Sequence, residues 1–129
     1  MAHYDLHCHS THSDGLLTPS AVVARAAARG VDVLALTDHD EVSGLAEAQA
    51  AAGEAGLELV CGAELSVSWE DHTLHVVALR IDPDNAVLNE GLEAIRVGRA
   101  SRARRIGDAL AAAGIKGAFE GAMKYVTSE

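Results

Sequence analysis

The sequence predicts an α/β protein in which helices and strands alternate along a parallel sheet, on three observations. Val31-Asp32-Val33-Leu34-Ala35-Leu36 is a short, almost unbroken apolar run, the pattern of a strand buried on both faces of such a sheet. On either side of it lie stretches with helix-start and helix-stop residues at their ends, Thr18-Pro19-Ser20 to Gly30 and Ser43-Gly44 to Gly56. Histidines and carboxylates follow three successive strand candidates, at the sheet edge where α/β proteins build their sites.

Residues 2 to 8 read as the first strand, ending at His7-Cys8-His9. Thr18 is a natural N-cap and Pro19 suits the first helical position, so a helix runs through Ala21-Val22-Val23 to Arg29 and stops at Gly30. The second strand, Val31 to Leu36, ends in Thr37-Asp38-His39-Asp40. Ser43 or Gly44 opens an alanine-rich helix to about Ala55, closed by Gly56, and Leu57 to Ala63 forms a third strand ending at Glu64. Two β-α-β units in succession imply right-handed crossovers. After Glu64 the pattern changes: Leu65 to Trp69 and Thr73 to Ile81 read as two more strands, joined by the polar turn Glu70-Asp71-His72, making five in all. Asp82-Pro83-Asp84-Asn85 then breaks the chain before a long helix from about Ala86 to Ala113, with Gly114 as its cap. A short helix and a frayed end are expected in the last fifteen residues. Residues 1–129 read as one domain, with 85–129 a helical segment from which an inserted subdomain would start.

Composition narrows the function classes. A formal charge of −9 argues against duplex DNA and anionic membranes as partners. No apolar run reaches the roughly 18 to 20 residues of a membrane span, and the opening Met-Ala-His-Tyr-Asp lacks a charged region followed by an apolar one, so a cytoplasmic protein is expected. Cys8 and Cys61 are then expected to be free thiols.

The chemistry gathers after the strands. In an extended strand His7 and His9 project to the same side about 7 Å apart while Cys8 faces the other way. Together with His39 after the second strand and Glu64 after the third, they are the leading metal-ligand candidates. Asp14, just before Gly15, reads either as a ligand or as a turn-forming aspartate. His75 alternates with Val77 and Leu79 and reads either as a ligand or as a core histidine. Asp38 and Asp40 flank His39, where a carboxylate can orient a ligating ring. His12 lies in the loop within reach of a substrate, or simply in solvent. His3 is about 13 Å back along the strand, too far to join the same ion.

Imidazole mixed with carboxylate points to Mn, Fe or Zn in a site with open positions, two or three ions activating water and stabilising phosphoryl charge. No G-x-S-x-G elbow or P-loop occurs, which leaves serine chemistry and Walker-type hydrolysis without their residues. Half of the ten basic residues stand on the long helix, where Arg96, Arg99 and Arg102 recur every three residues beside Arg104 and Arg105. Such a stripe is either a solvated face or a fork for phosphate oxygens.

Taken together, Asp5-Leu6-His7-Cys8-His9-Ser10 with Asp14, Thr37-Asp38-His39-Asp40, Gly62-Ala63-Glu64 and Leu74-His75-Val76 resemble the PHP family of metal-dependent phosphoesterases, named for polymerase and histidinol phosphatase. The alanine-rich run after His39 and the arginine helix are most similar to the branch acting on nucleoside 3′,5′-bisphosphates, AMP-like compounds and the 5′ ends of short oligoribonucleotides. The resemblance implies a distorted β/α barrel of which this chain is the N-terminal part, with a three-metal site at the carboxyl face. His7, His9 and Glu64 would hold one ion, Glu64 and His75 a second, Asp14 and His39 a third. Glu64, His39 and Asp40 are the implied catalytic residues, and Arg99, Arg102 and His12 the implied contacts to a small nucleotide phosphate or short oligonucleotide. Histidinol-phosphate-type phosphatase activity is the alternative within the class, and a non-catalytic metal- or phosphate-binding module the alternative outside it. The family's later histidine block and Asp-x-His have no counterpart here, since no histidine follows His75. A fragment of a longer enzyme, pairing with another copy or chain, or metal binding without turnover is therefore expected.

Overall fold

The computed structural model describes residues 1–70 and 72–126 and shows a mixed α/β fold. In chain order the elements are β1 (Tyr4–Cys8), α1 (Pro19–Ala28), β2 (Val33–Leu36), α2 (Leu45–Ala55), β3 (Glu58–Trp69), β4 (His72–Leu79), α3 (Ala86–Ala112) and α4 (Ala118–Met123). The strands form one sheet in the order β1-β2-β3-β4, in which β1, β2 and β3 run parallel and β4 is antiparallel to β3.

Local chemistry sets the helix ends. Thr18 Oγ1 accepts from the Ala21 N–H, with Pro19 in the first turn, and α2 ends at Gly56 in the left-handed conformation (φ 72°). Asn85 caps α3, its Oδ1 accepting from the Leu88 N–H. Between α1 and α2 and the sheet lies the core, Val23, Leu34, Leu36, Leu45, Ala48, Ala52 and Leu57, all at or below 9 % exposure. Because α1 and α2 pack against the sheet through alanine-rich faces, the helices approach closely and β2 is covered on that side.

Two expectations are corrected. The third and fourth predicted strands are one continuous strand, so the sheet has four strands and not five among the described residues. Residues Glu58–Cys61 pair with β2 in parallel, and from Gly62 onward the same strand pairs antiparallel with β4. Glu64 thus lies inside a strand, just beyond its parallel partner. The register of β1 against β2 also shifts between Asp5 and Cys8, a bulge that re-aims the residues around His7. Asp71, in the predicted turn, and the expected frayed end from residue 127 fall outside the described residues. Among the described residues no helix is long and apolar enough to cross a membrane.

Gly62 marks where the strand changes partner. A Cβ there would stand 2.8 Å from Thr37 Cγ2, 2.9 Å from the Ala78 carbonyl oxygen and 3.2 Å from that of Leu36. Gly62→Ala is therefore expected to destabilise the fold by about 1–3 kcal/mol in urea denaturation. Gly53→Ala, on α2 with open space around the new methyl, is expected to stabilise it by about 0.5–1 kcal/mol.

Candidate metal centre

Six side chains meet at the carboxyl edge of the parallel strands. His7 comes from β1, His9 and Asp14 from the loop after it, His39 from the end of β2, Glu64 from β3 and His75 from β4. The His39 backbone bridges to Glu64, so β2 extends its parallel pairing to the residue that matters. His75 stands opposite Ser66 in the β3–β4 ladder and reaches Glu64 on the diagonal of the same face.

Glu64 is the hub. Its Oε2 lies 2.9 Å from His7 Nε2, 3.2 Å from His9 Nε2 and 3.6 Å from His39 Nε2, while Oε1 lies 3.4 Å from His75 Nδ1. His9 Nδ1 is 3.4 Å from Asp14 Oδ1, and His39 Nε2 is 3.6 Å from Asp14 Oδ2. The His9 and His39 rings stack with centroids 4.7 Å apart, and His75 meets His39 edge-on at 5.0 Å. Burial pushes the Glu64 carboxyl upward, but the His7 hydrogen bond and the charges of His39, His7 and His9 outweigh it and hold the group below the usual carboxylate range.

These residues fit divalent ions. Three overlapping groups, His7/His9/Glu64, His9/Asp14/His39 and His39/Glu64/His75, each offer donor atoms all within 4.8 Å of one another. Donors on one first-row ion at about 2.0–2.2 Å stand about 3.0–3.5 Å apart, close to the separations found here. His39 faces both carboxylates with Nε2, and its other ring nitrogen, Nδ1, is buried without a hydrogen-bond partner. The side chains of His7, Asp14 and His75 are 51 %, 68 % and 46 % exposed, so the cluster opens to solvent on one side. The grouping differs from the one the resemblance implies in that His9 and His39 are each shared between two groups.

Two buried aspartates hold the loops that carry these ligands. Asp38 Oδ1 accepts from the Ser10 N–H (2.7 Å) and Ser13 Oγ (2.6 Å), and Oδ2 from Ser10 Oγ (2.7 Å), which fastens the His9–Asp14 loop to the end of β2. Asp40 Oδ1 accepts from the Ser66 N–H and Oδ2 from Arg99 Nη1, each at 2.7 Å. Neither carboxylate bonds to His39, which corrects the expectation that they orient its ring. Asp38, next to His39 in extended chain, points to the other side, and at Asp40 the chain turns out of the extended conformation at φ 54°. Ser10, Ser13 and Ser66 carry no sequence signal for this role, because serine has no spacing pattern of its own.

His12 turns from the cluster, with Nδ1 2.7 Å from Ser43 Oγ, so its ring is engaged at the start of α2 and not with the ligands. Arg96 donates to the Asp40 carbonyl and pairs with Glu41 and Glu93, and Arg99 pairs with Asp40. Arg102 is exposed. Arg104 lies over the Phe119 ring, away from the cluster. Cys8, between two histidines, is not among the ligand groups; its thiol donates to the Ala35 carbonyl at 3.2 Å. Burial, then the charges of Asp5 and Asp38, push that thiol up to about 12.

The model of the PHP domain matches residues 5–107. Over 125 residues the chain is 56 % identical to the 3′,5′-nucleoside bisphosphate phosphatase of Chromobacterium violaceum, covering 97 % of this chain and 44 % of that protein. Over 126 residues it is 47 % identical to a 5′-3′ exoribonuclease of Haemophilus influenzae, covering 98 % of this chain and 46 % of the relative. A solved Chromobacterium violaceum structure, described as an amidohydrolase with bound sulfate and no metal, is 56 % identical and superposes with a TM-score of 0.86 over 95 % of this chain and 43 % of its own. The chain spans under half the length of these relatives.

With its thiol near 12, Cys8 is about one part in ten thousand thiolate at pH 8. Iodoacetamide labelling of the native protein, followed by peptide mass mapping, should modify Cys8 at least about a hundredfold more slowly than in urea-unfolded protein. Glu64→Ala removes the carboxylate shared by two of the three groups and should lower bound Mn²⁺, measured by elemental analysis after dialysis, by at least one ion per chain. Unchanged metal content in that variant would remove Glu64 from the ligand set.

Proposed function

The chain belongs to the PHP domain family, and on that footing we propose that it is the metal-holding part of a phosphoesterase that hydrolyses phosphate monoesters of nucleotides. The substrates in this reading are nucleoside 3′,5′-bisphosphates, AMP-like compounds or the 5′ ends of short oligoribonucleotides. What carries it is the convergence of four imidazoles on Glu64, with Asp14 beside His9 and His39 and arginines on the neighbouring helix. The activities for which the Chromobacterium and Haemophilus relatives are named support the substrate class.

His7, His9, Asp14, His39, Glu64 and His75 would hold two or three ions, of Mn, Fe or Zn. Bound divalent ions supply Lewis-acid activation of water and neutralise charge on phosphoryl oxygens. The chain's own residues do the rest. Glu64 and His39 set the separation of the donor groups, and the stacked His9 and His39 rings fix their planes. The open side, rimmed by His7, Asp14 and His75, admits the phosphate. Arg102, and the donors of Arg99 not engaged by Asp40, are assigned to hold the substrate phosphate, because a guanidinium fork matches its oxygens. Further strands, from this protein or a second chain, belong to the same reading, since Leu74, Val76, Val77 and Leu79 of β4 are exposed.

The test is elemental analysis together with phosphate release from adenosine 3′,5′-bisphosphate and histidinol phosphate in Mn²⁺. Two or more ions per chain and faster release from the bisphosphate are expected. Release from histidinol phosphate alone would move the assignment to that substrate, and neither ions nor turnover would sink the reading. Arg102→Ala should raise KM for the bisphosphate about tenfold with metal content unchanged.

A further inference from the structure

We infer that Asp40 is a positioning residue that latches the arginine-bearing face of α3 over the metal cluster, and so sets where the substrate phosphate is received. The inference rests on the phosphoesterase reading above. Every polar group of Asp40 is engaged, and they reach two elements. Its N–H donates to the Glu64 carbonyl at 2.9 Å, and Oδ1 accepts from the Ser66 N–H at 2.7 Å, both on β3. Its carbonyl accepts from Arg96 Nη1 at 2.6 Å, and Oδ2 from Arg99 Nη1 at 2.7 Å, both on α3. The residue is fully buried and sits at φ 54°, a left-handed conformation that a non-glycine residue keeps only where its surroundings overdetermine it.

The latch matters because α3 has little other hold on the sheet. Of its 27 residues only Leu92 and Gly107 are buried, and Gly107 lies under Phe119 of α4 and not against a strand. Leu92 anchors the helix one turn before Arg96. The two arginine contacts to Asp40 fasten the turns that follow, and Arg102 follows Arg99 on the same side of the helix. Asp40 cannot touch a substrate, because its carboxylate is enclosed. Any effect of changing it on phosphate binding must therefore pass through the elements it holds, β3 or α3, which the exchange of their peptides tells apart.

Asp40→Asn keeps an acceptor for Ser66 but removes the charge and turns an amide toward Arg99. Amide hydrogen exchange by mass spectrometry and titration of the Mn²⁺-loaded protein with inorganic phosphate test the latch. The expected result is exchange about tenfold faster in peptides covering residues 92–105, phosphate binding weakened about tenfold, and metal content as in wild type. Peptides from β2 and β3 should exchange as before. Arg99→Gln, at a half-exposed position, should loosen the same α3 segment, and the double variant should loosen it no further than Asp40→Asn. Wild-type exchange in α3 in either variant, or equal acceleration in β2 and β3, would overturn the latch. Wild-type protein that binds metal but no phosphate would remove the phosphate half together with the reading beneath it, while the exchange comparison would still decide the α3 contact.

Discussion

A carboxylate taken out of water prefers to be neutral, and Glu64, with only 8 % of its side chain exposed, is held against that preference by the imidazoles around it. β1, β2 and β4 each deliver or precede a histidine that approaches Glu64 at this end of the sheet. Four rings from four places in the sequence can meet one carboxylate only if the strand registers are fixed to within a residue. Gly62, with no room for a methyl between Thr37 and Ala78, is where that registration is tightest.

Ligands on loops need more than a register. The His9–Asp14 loop is tied by three hydrogen bonds to Asp38, and its Gly15 lies so close to the His9 carbonyl that a Cβ would stand 2.4 Å away. Asp38 and Asp40, either side of His39, divide the work: one secures the loop after β1, the other joins β3 to the arginine helix. Buried carboxylates of this kind are costly to leave unpaired, which makes each contact hard to replace singly.

Much of this was legible in the residues alone. Thr18-Pro19 and Gly56 announced their helix ends through capping chemistry, the apolar run at Val33–Leu36 announced a buried parallel strand, and all six ligand-type residues stand together at one sheet edge. The fold class agrees with the structural relatives. What stayed hidden has physical reasons. A period of two cannot say where one strand ends and a collinear one begins, so Glu58–Trp69 read as two. The bulge before Cys8 leaves no compositional mark. The Asp40–Arg99 pair spans 59 residues, and nothing in either neighbourhood points to the other.

β3 changes its kind of partner partway along, and this gives the hairpin a role apart from support. Glu64 is registered against β2 on one side, whereas His75 is registered only through the ladder that continues to Trp69 and His72. A slip of one residue in that ladder would leave the parallel half of the sheet untouched and carry His75 to the opposite face. The length of the connection after Trp69 is therefore part of the metal chemistry. An insertion there that shifted the ladder by one residue would take His75 away from Glu64.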